Sequence, residues 1–425
     1  MPPRASDTIF AVASGPPPAA IAVMRVSGPQ AFAMATALAG PLPPPRRASL
    51  RALRGQDDGL LDRALVLTFP GPRSASGEDL VELHLHGGRA VAAAVGGALL
   101  ALGARSAKPG EFTRRALANG RIDLAEAEGL GDLLMAETEA ARRAALANAE
   151  GAVSRSVARW SARLLGASAL IEAALDFSDE DDVGALPPSL VDDLSSLGAE
   201  MAATLAAPPV ERLRDGVRVV LAGPPNAGKS TLLNALAERE AAIVSPIAGT
   251  TRDRIEVPVV RDGVAYLLID TAGLTESTDD PIEAIGIARA RAAAAEADIL
   301  LWLDDAPPAE GALWLYPRAD ARPPAPAGRI AVSARTGDGM ARLWTALAER
   351  AGLLLPRADQ LALNARQRMH VAAAATVLRA AAAESDLLLV AEHCRLARRS
   401  LDAITGVTGT EEMLDALFGR FCIGK

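Results

Sequence analysis

The segment 223–230, Gly-Pro-Pro-Asn-Ala-Gly-Lys-Ser, constrains the fold most, because it fits the pattern G-x-x-x-x-G-K-[ST] between two periodic stretches. The apolar run Val217–Ala222 predicts a buried parallel strand, and Ser230–Leu236 predicts the helix that follows it. A loop in this position can surround a polyphosphate with backbone N–H groups at the positive end of the helix dipole. Lys229 would place a charge at the β- and γ-phosphates, and Ser230 would offer a hydroxyl to Mg²⁺. We therefore expect a nucleotide site, and one that hydrolyses its nucleotide.

Nearly all basic residues of this sequence are arginine. Of the 44 basic residues, only Lys108, Lys229 and Lys425 are lysine. A compact ammonium and a planar guanidinium differ in reach and geometry. The lysine in the phosphate loop is therefore expected to do something that arginine cannot.

Composition limits the class of protein. The net charge of −8 argues against broad nonspecific binding of nucleic acid. Two cysteines, Cys394 and Cys422, cannot form a disulfide framework. The first 13 residues lack the apolar core of a signal peptide, and no run of about 18 apolar residues is present. We expect a cytoplasmic protein.

The length of 425 residues predicts several domains, since one core does not grow so large. Residues 1–120 alternate short strands with helical patterns and predict an α+β domain. Residues 121–215 and 352–425 have long helical patterns rich in Ala, Leu, Glu and Arg. The nucleotide domain, 216–351, is expected to be an insertion between the two halves of this helical domain.

Two further segments fit a nucleotide switch. The stretch 243–253 contains Thr250 and Thr251 about 20 residues after the loop, where a hydroxyl can complete Mg²⁺ coordination. Asp262 and Gly263 predict a hairpin between two strands. The second strand leads into Asp270-Thr271-Ala272-Gly273, where the carboxylate can hold a Mg²⁺-bound water and the glycine N–H can contact the γ-phosphate.

Two positions differ from common GTPases. Leu274 follows Gly273 where some GTPases have a water-orienting glutamine, so one of the acids in 276–283 is a candidate for that role. The segment 317–320 reads Pro-Arg-Ala-Asp where a guanine-reading loop would be Asn-Lys-x-Asp. Asp320 can accept hydrogen bonds from guanine N1–H and its amine, and Arg318 can cover the base. Pro317 offers no side-chain amide. Ser333 and Ala334 could offer backbone N–H groups to the base oxygen, so guanine is the expected base.

These motifs resemble the MnmE (TrmE) family of tRNA-modification GTPases over nearly the whole chain. The similar segments also include 7–9, 24–28, 77–82, 109–116, 282–286 and the terminus Phe421-Cys422-Ile423-Gly424-Lys425. The resemblance implies three parts. These are an N-terminal folate-binding-like α+β domain that dimerises, a helical bundle, and an inserted Ras-like P-loop domain.

The resemblance also implies a K⁺-activated GTPase whose catalytic residues are Lys229, Asp270 and Glu283, the last positioning the attacking water. Ser230 and Thr251 would bind Mg²⁺. Asn226 and Thr250 would bind K⁺ through side chains, and Ser245 and Ile247 through backbone carbonyls. The nucleotide contacts would be Asn226, Ala227, Gly228, Lys229, Ser230, Thr231, Ser245, Pro246, Ile247, Ala248, Gly249, Thr250, Thr251, Asp270, Thr271, Ala272, Gly273, Asp320, Ser333 and Ala334.

The family further uses 5-formyl-tetrahydrofolate or a related folate as a one-carbon source. By position, Arg25, Glu82, Arg121 and Lys425 would contact it, and Cys422 lies close to the tail lysine as a possible reactive thiol. Arginines suit the folate carboxylates and a carboxylate suits pterin N–H donors. The implied partners are a second copy of the chain, the FAD-dependent protein MnmG (GidA), and tRNA bound through that complex. The implied product is a carboxymethylaminomethyl or aminomethyl group on the wobble uridine.

Two other functions remain open at this stage. A ribosome-assembly GTPase would have an RNA-binding module with Gly-x-x-Gly or a basic tail after the nucleotide domain, whereas this chain has helical patterns there. A nucleotide-gated scaffold with relaxed base preference is suggested by Pro317.

Overall fold

The computed structural model describes residues 7–176, 188–238, 255–270, 297–308, 310–357 and 359–406, and Leu414, 417–419, Phe421 and Gly424 near the C-terminus. The chain forms two compact units. The first unit comprises residues 1–131, 149–159 and 401–425, and the second comprises 132–148 and 160–400.

The first unit contains a six-stranded sheet in the order β3-β4-β5-β2-β1-β6. Its strands are β1 (Ile9–Val12), β2 (Ile21–Ser27), β3 (Ser49–Arg54), β4 (Leu60–Phe69), β5 (Leu80–His86) and β6 (Arg105–Ser106). Helices α1 (Ala31–Ala39) and α2 (Arg89–Ala101) pack on one face and bury a core with Met24, Leu83 and Leu99. The strands form here because alternate residues are apolar and face these helices.

The other face of this sheet has both charged and apolar side chains. Register pairs Arg25 with Glu82 and Leu65 with both His84 and Leu50, so these side chains share one face. On this face Leu50 and Leu65 are exposed. The sheet therefore presents apolar and charged side chains together on the side opposite α1 and α2.

An ion network joins four sequence segments of the first unit. Arg115, on α3 (Glu111–Ala118), is buried and binds Asp7 at 2.9 Å, Glu78 at 3.1 Å and Glu111 at 3.1 Å. Arg105 binds Asp7 and Glu111 as well. Several residues of the motifs that carry the family resemblance thus hold the N-terminal domain together.

The second unit contains the phosphate-loop sheet, in the order β12-β11-β10-β7-β9-β8. Its strands are β7 (Val217–Ala222), β8 (Ile255–Arg261), β9 (Val264–Asp270), β10 (Ile299–Trp302), β11 (Leu313–Pro317) and β12 (Ile330–Val332). All neighbours run parallel except β8 and β9, which form the predicted hairpin. Helices α9 (Lys229–Glu238) and α10 (Met340–Leu354) cover one face and share its apolar core.

Helices account for most of the remaining described chain. They are α4 (Leu124–Met135), α5 (Glu139–Ala149), α6 (Ala152–Asp176), α7 (Pro188–Leu205), α8 (Glu211–Asp215), α11 (Ala365–Ala383) and α12 (Leu387–Thr405). Helices α7 and α11 pack closely against each other. Among the described residues, no helix is both long and apolar enough to cross a membrane.

The segments that enter and leave the phosphate-loop sheet are bound to each other. Val210 N donates to Leu363 O at 3.1 Å, and Ala365 N donates to a Glu211 carboxylate oxygen at 2.6 Å. Arg212, on α8, forms an ion pair of 2.8 Å with Asp298, immediately before β10. The start of β10 is therefore tied directly to the peptide that leads into β7.

The predicted strand β7, the hairpin, the α+β character of the N-terminal region and the long helices are confirmed. The division into 1–120, 121–215, 216–351 and 352–425 stays a prediction.

The Glu111 carboxylate should make the N-terminal domain sensitive to acid. Burial raises its pKa, but hydrogen bonds from Arg105, the Lys108 N–H and Arg115 outweigh burial and lower the pKa from 4.5 to about 2. Its contribution is therefore complete above pH 4.5 and is lost as the pH falls towards 2. At pH 7 we expect Glu111→Gln to lower the free energy of unfolding by about 1–3 kcal/mol.

Calorimetry of the full chain at pH 7 and pH 3.5 measures this effect, and the difference between the variant and wild type should be smaller at the lower pH. Glu139→Gln is the matched control, because Glu139 also binds two arginines but is exposed on α5. A Glu111→Gln melting profile equal to that of wild type at pH 7 would contradict the role of the network.

Candidate nucleotide and folate sites

The loop after β7 has a backbone that few sequences permit. Gly223 has φ +151°, and a Cβ there would lie 3.1–3.3 Å from Leu303. Asn226 has φ +60°, which asparagine tolerates better than most residues, and Gly228 has φ +96°. Helix α9 begins at Lys229, so the loop leads directly into the helix N-terminus, where the first backbone N–H groups have no partner within the helix. This geometry suits the binding of an anion.

Lys229 lies inside this loop and is 6% exposed. Its Nζ donates to Gly223 O at 3.1 Å and to Pro224 O at 3.0 Å. Burial lowers the pKa of Lys229, and the charge of Asp270 acts in the opposite direction. Phosphate oxygens are stronger acceptors for an ammonium than neutral carbonyls, so a polyphosphate can take over these hydrogen bonds.

Ser230 and Asp270 meet because β7 and β9 are parallel neighbours, with Leu221 opposite Asp270. Ser230 Oγ donates a short hydrogen bond to Asp270 Oδ2. Asp270 is 8% exposed, and its Oδ1 has no hydrogen-bond partner within the described part of the chain. A hydroxyl and a carboxylate with one buried oxygen that lacks a partner form a donor set that fits Mg²⁺, which prefers oxygen ligands.

Next to the loop lies a cavity of about 290 Å³. It is lined by Gly228, Thr231, Leu232, Pro317, Arg318, Asp320, Ala321, Val332, Ala334 and Arg335. The pairing of Pro317 with Val332 brings the segments after β11 and β12 together. Four residues predicted from the sequence, Gly228, Thr231, Asp320 and Ala334, therefore line a single cavity. Its position beside the phosphate loop suits a base.

The Asp320 carboxylate accepts hydrogen bonds from two side chains of the protein. Ser333 Oγ donates to Oδ1 at 2.6 Å, and Arg335 donates to Oδ2 through Nε at 2.8 Å and Nη2 at 2.6 Å. Hydrogen bonds from Ser333 and from Arg335 lower the pKa of Asp320. The carboxylate is thus ionised and fixed in orientation at neutral pH, as a reader of N–H donors requires.

Arg318 connects the base cavity to the phosphate loop. It has φ +56°, and its Nη2 donates a short hydrogen bond to the Asn226 carbonyl. Downstream, Arg322 and Arg329 both bind Asp305, and Arg322 lies over the Tyr316 ring at 4.0 Å. These contacts hold the segment that positions Asp320.

The first unit contains a second candidate site on the open face of its sheet. Arg25 Nε donates to Glu82 Oε1 at 2.9 Å. Glu82 and Arg121 line a cavity of about 340 Å³ whose other lining residues are Arg46, Phe69, Arg73, Ser74, Ala75 and Leu80. Gly77 permits this arrangement, because a Cβ there would lie 2.9 Å from Arg121 Cγ.

The sequence did not point to Arg46, Phe69 and Arg73, which come from separate segments of the chain. Arg46 lies over the Phe69 ring at 5.5 Å, so this wall of the cavity is both aromatic and cationic. Gly424 is buried beside Val12 and Ala13, at the end of β1, the strand that pairs with β2 and with Arg25 in particular. The residue before the terminal lysine thus lies near the strands that carry this site.

The remaining predicted site residues lie outside the described residues. They are Ser245, Pro246, Ile247, Ala248, Gly249, Thr250, Thr251, Thr271, Ala272, Gly273, Glu283, Cys422 and Lys425.

Family profiles and full-length relatives match this chain over nearly its whole length. The family profile described as GTP-binding protein TrmE N-terminus matches residues 8–121, and the profile described as MnmE helical domain matches residues 124–422. The tRNA modification GTPase MnmE of Rhizorhabdus wittichii is 58% identical over 99% of this chain and 97% of its own length. That of Novosphingobium aromaticivorans is 56% identical over 99% of this chain and 100% of its own.

Among solved structures, the G domain of the T. maritima FeoB iron transporter is 25% identical and matches 32% of this chain and 98% of its own. Its TM-score is 0.24, so this likeness adds nothing to the assignment. The profiles and the full-length relatives are sufficient: the chain belongs to the MnmE family of tRNA modification GTPases.

Proposed function

We propose that this GTPase is activated by K⁺ and works with MnmG to modify the wobble uridine of certain tRNAs. The observation that carries the proposal is the group at the phosphate loop, where Lys229 and Asp270 are buried and Ser230 donates to Asp270. The family membership supplies the reaction class, which is hydrolysis of GTP in the service of tRNA modification.

The chain's own residues would act mainly by binding and orienting. The N–H groups at the start of α9 and the Lys229 ammonium would hold the phosphates, and Ser230, Thr251 and Asp270 would hold Mg²⁺ or its water. Asn226, Ser245, Ile247 and Thr250 offer oxygen atoms, the donor type that K⁺ requires. When bound, the two cations neutralise charge at the terminal phosphate. Glu283 would orient the attacking water, a role that Leu274 cannot fill.

The cavity around Glu82 is proposed to bind the folate. Its arginines, Arg46, Arg73 and Arg121, suit the carboxylates of a folate glutamate, and the Glu82 carboxylate suits pterin N–H donors. The Phe69 ring offers an apolar face to a planar heterocycle. Lys425 is included in the proposed site because Gly424, the residue before it in the sequence, is buried beside the end of β1.

The open face of the N-terminal sheet is proposed to bind a second copy of the chain. Ile21, Leu50 and Leu65 are 43–60% exposed there, and grouped apolar side chains on a sheet face mark an interaction surface. Arg25 and Glu82 lie on this same face. A homodimer would therefore enclose the folate between two sheets.

The remaining proposals concern partners and place. MnmG would bind this dimer, tRNA would bind through the complex, and the protein would act in the cytoplasm. Hydrolysis would change the association of the nucleotide domains and so reshape the complex. Co-elution of the chain with MnmG and loss of the wobble modification in a deletion strain are the direct measurements.

Replacing Lys229 by arginine tests whether the ammonium itself is needed. The guanidinium keeps the charge but cannot donate to Gly223 O and Pro224 O in the same buried space, so we expect GTP turnover to fall roughly 100-fold or more. Lys108→Arg, at an exposed lysine, is the matched control and should leave turnover unchanged. Steady-state phosphate release measures both, and full activity in Lys229→Arg would refute the site.

The choice of monovalent cation tests the K⁺ site. GTP turnover at equal ionic strength should be at least about tenfold faster in KCl than in NaCl, because K⁺ would supply charge beside the phosphates. Asn226→Ala should remove most of this difference. Equal rates in both salts would eliminate the K⁺ assignment without affecting the Mg²⁺ site.

The dimer face and the folate site can be separated by substitution. Leu65→Glu places a charge on the apolar face and should yield monomers in sedimentation velocity. Glu82→Gln should leave the dimer intact but weaken 5-formyl-tetrahydrofolate binding about tenfold in calorimetric titration, since it removes a charged hydrogen-bond acceptor. Arg89→Ala, on α2 across the sheet, is the control for both. A dimeric Leu65→Glu protein would rule out this face.

A further inference from the structure

The contact between Arg335 and Asp320 has a consequence for guanine binding. Two of the three guanidinium nitrogens, Nε and Nη2, donate to the same oxygen, Oδ2, at 2.8 and 2.6 Å. The Asp320 side chain is 12% exposed and faces the base cavity, whereas the Arg335 side chain is 77% exposed. The Asp320 carboxylate is therefore held in place, whereas the exposed Arg335 side chain can move away into solvent.

The guanidinium resembles the edge of guanine that a carboxylate recognises. In arginine, Nε–H and Nη2–H are parallel donors on an N–C–N unit. In guanine, N1–H and the 2-amino N–H are parallel donors on the same kind of unit. We infer that Arg335 is an internal competitor of guanine, which occupies the guanine-reading oxygen of Asp320 until a guanine nucleotide displaces it.

The two oxygens of Asp320 would then have separate roles. Oδ1 accepts from Ser333 Oγ at 2.6 Å, and Ser333 is fully buried and also accepts from Thr336 N at 3.1 Å. This bond keeps the carboxylate oriented while the partner of Oδ2 is exchanged. An exposed ion pair contributes little to stability, so displacement of Arg335 costs guanine only about a two- to fivefold loss of affinity.

Adenine cannot make the same exchange. Its corresponding edge has an acceptor at N1 and only a C–H at C2, so it offers no pair of donors to Oδ2 in place of Arg335. Pro317 increases the importance of this step, because it provides no side-chain amide to the base. The inference rests on the proposed role of Asp320 as the reader of guanine.

Competition titrations on the full-length chain test the inference. Binding of GDP, IDP and ADP is measured against a ribose-labelled fluorescent GDP, for wild type, Arg335→Ala and Arg335→Lys. Arg335→Ala should bind GDP two to five times more tightly and ADP as weakly as wild type does. IDP, which has N1–H but lacks the amine, should gain less than GDP. Arg335→Lys, with the charge but not the paired donors, should fall between Ala and wild type.

Arg342→Ala removes the same charge from an exposed position on α10 and should not change GDP binding. Weaker or unchanged GDP binding in Arg335→Ala would overturn the inference. Asp320→Asn distinguishes failure of the proposed guanine reading by Asp320 from failure of the role of Arg335. If it keeps the wild-type preference for GDP over ADP, the proposed reading of guanine by Asp320 fails. If it loses that preference while Arg335→Ala has no effect, only the role of Arg335 fails.

Discussion

The parallel pairing of β7 with β9 is the constraint on which the nucleotide site depends. It places Asp270 opposite Leu221, at the strand ends where the phosphate loop begins. Lys229 and Asp270 are thereby buried next to each other, and the more exposed Ser230 donates to Asp270. Burying charges is costly unless they are paired and hydrogen-bonded. Here the ammonium has two carbonyls and the carboxylate has a hydroxyl, while Asp270 Oδ1 has no partner among the described residues. A metal–phosphate ligand would complete this set.

The buried position of the Lys229 ammonium explains why a chain so rich in arginine has a lysine in the loop. Nζ donates to Gly223 O and Pro224 O from inside a turn where a planar guanidinium would have to displace backbone. Arginine performs the surrounding tasks instead. Arg318 binds the loop carbonyl of Asn226, and Arg335 binds Asp320. Arg335 uses two donors of its flat guanidinium, and Arg318 reaches from one segment to another with one.

The sequence predicted the parts of the site that follow from local pattern. The apolar run of β7, the hairpin at Asp262 and the motif residues Lys229 and Asp270 are recognisable because strand periodicity and glycine positions are local properties. The ion network of Arg115 was not predicted, although its residues belong to recognised motifs. Its partners Asp7 and Glu78 are distant in sequence, and only the folded sheet brings them together.

The same limit applies to the cavities. Phe69 and Glu82 come together because β4 and β5 are paired, and Arg46 joins them because its N–H donates to Thr68 O. No spacing in the sequence expresses these contacts. Strand β3, Ser-Leu-Arg-Ala-Leu-Arg, was also not predicted, because this edge strand is only partly buried and lacks a strict alternation. Local pattern thus identified the phosphate chemistry, whereas pairing between distant segments determined the surroundings of both sites.

The joint at Arg212 shows how events in the nucleotide site can reach the helices. Asp298 precedes β10, which pairs with β7 in register from Ile299 to Trp302. Its carboxylate binds Arg212 through Oδ1 and the N–H of Arg218 through Oδ2, so the entering peptide and the sheet share one acceptor. Arg212 also donates to Leu354 O, at the end of α10 where the chain leaves the sheet. A rotation of the sheet about this joint must therefore either break a charged hydrogen bond or move α8 with it. Since α8 joins the peptide bonded to 363–365, movement of α8 would be passed to the start of α11.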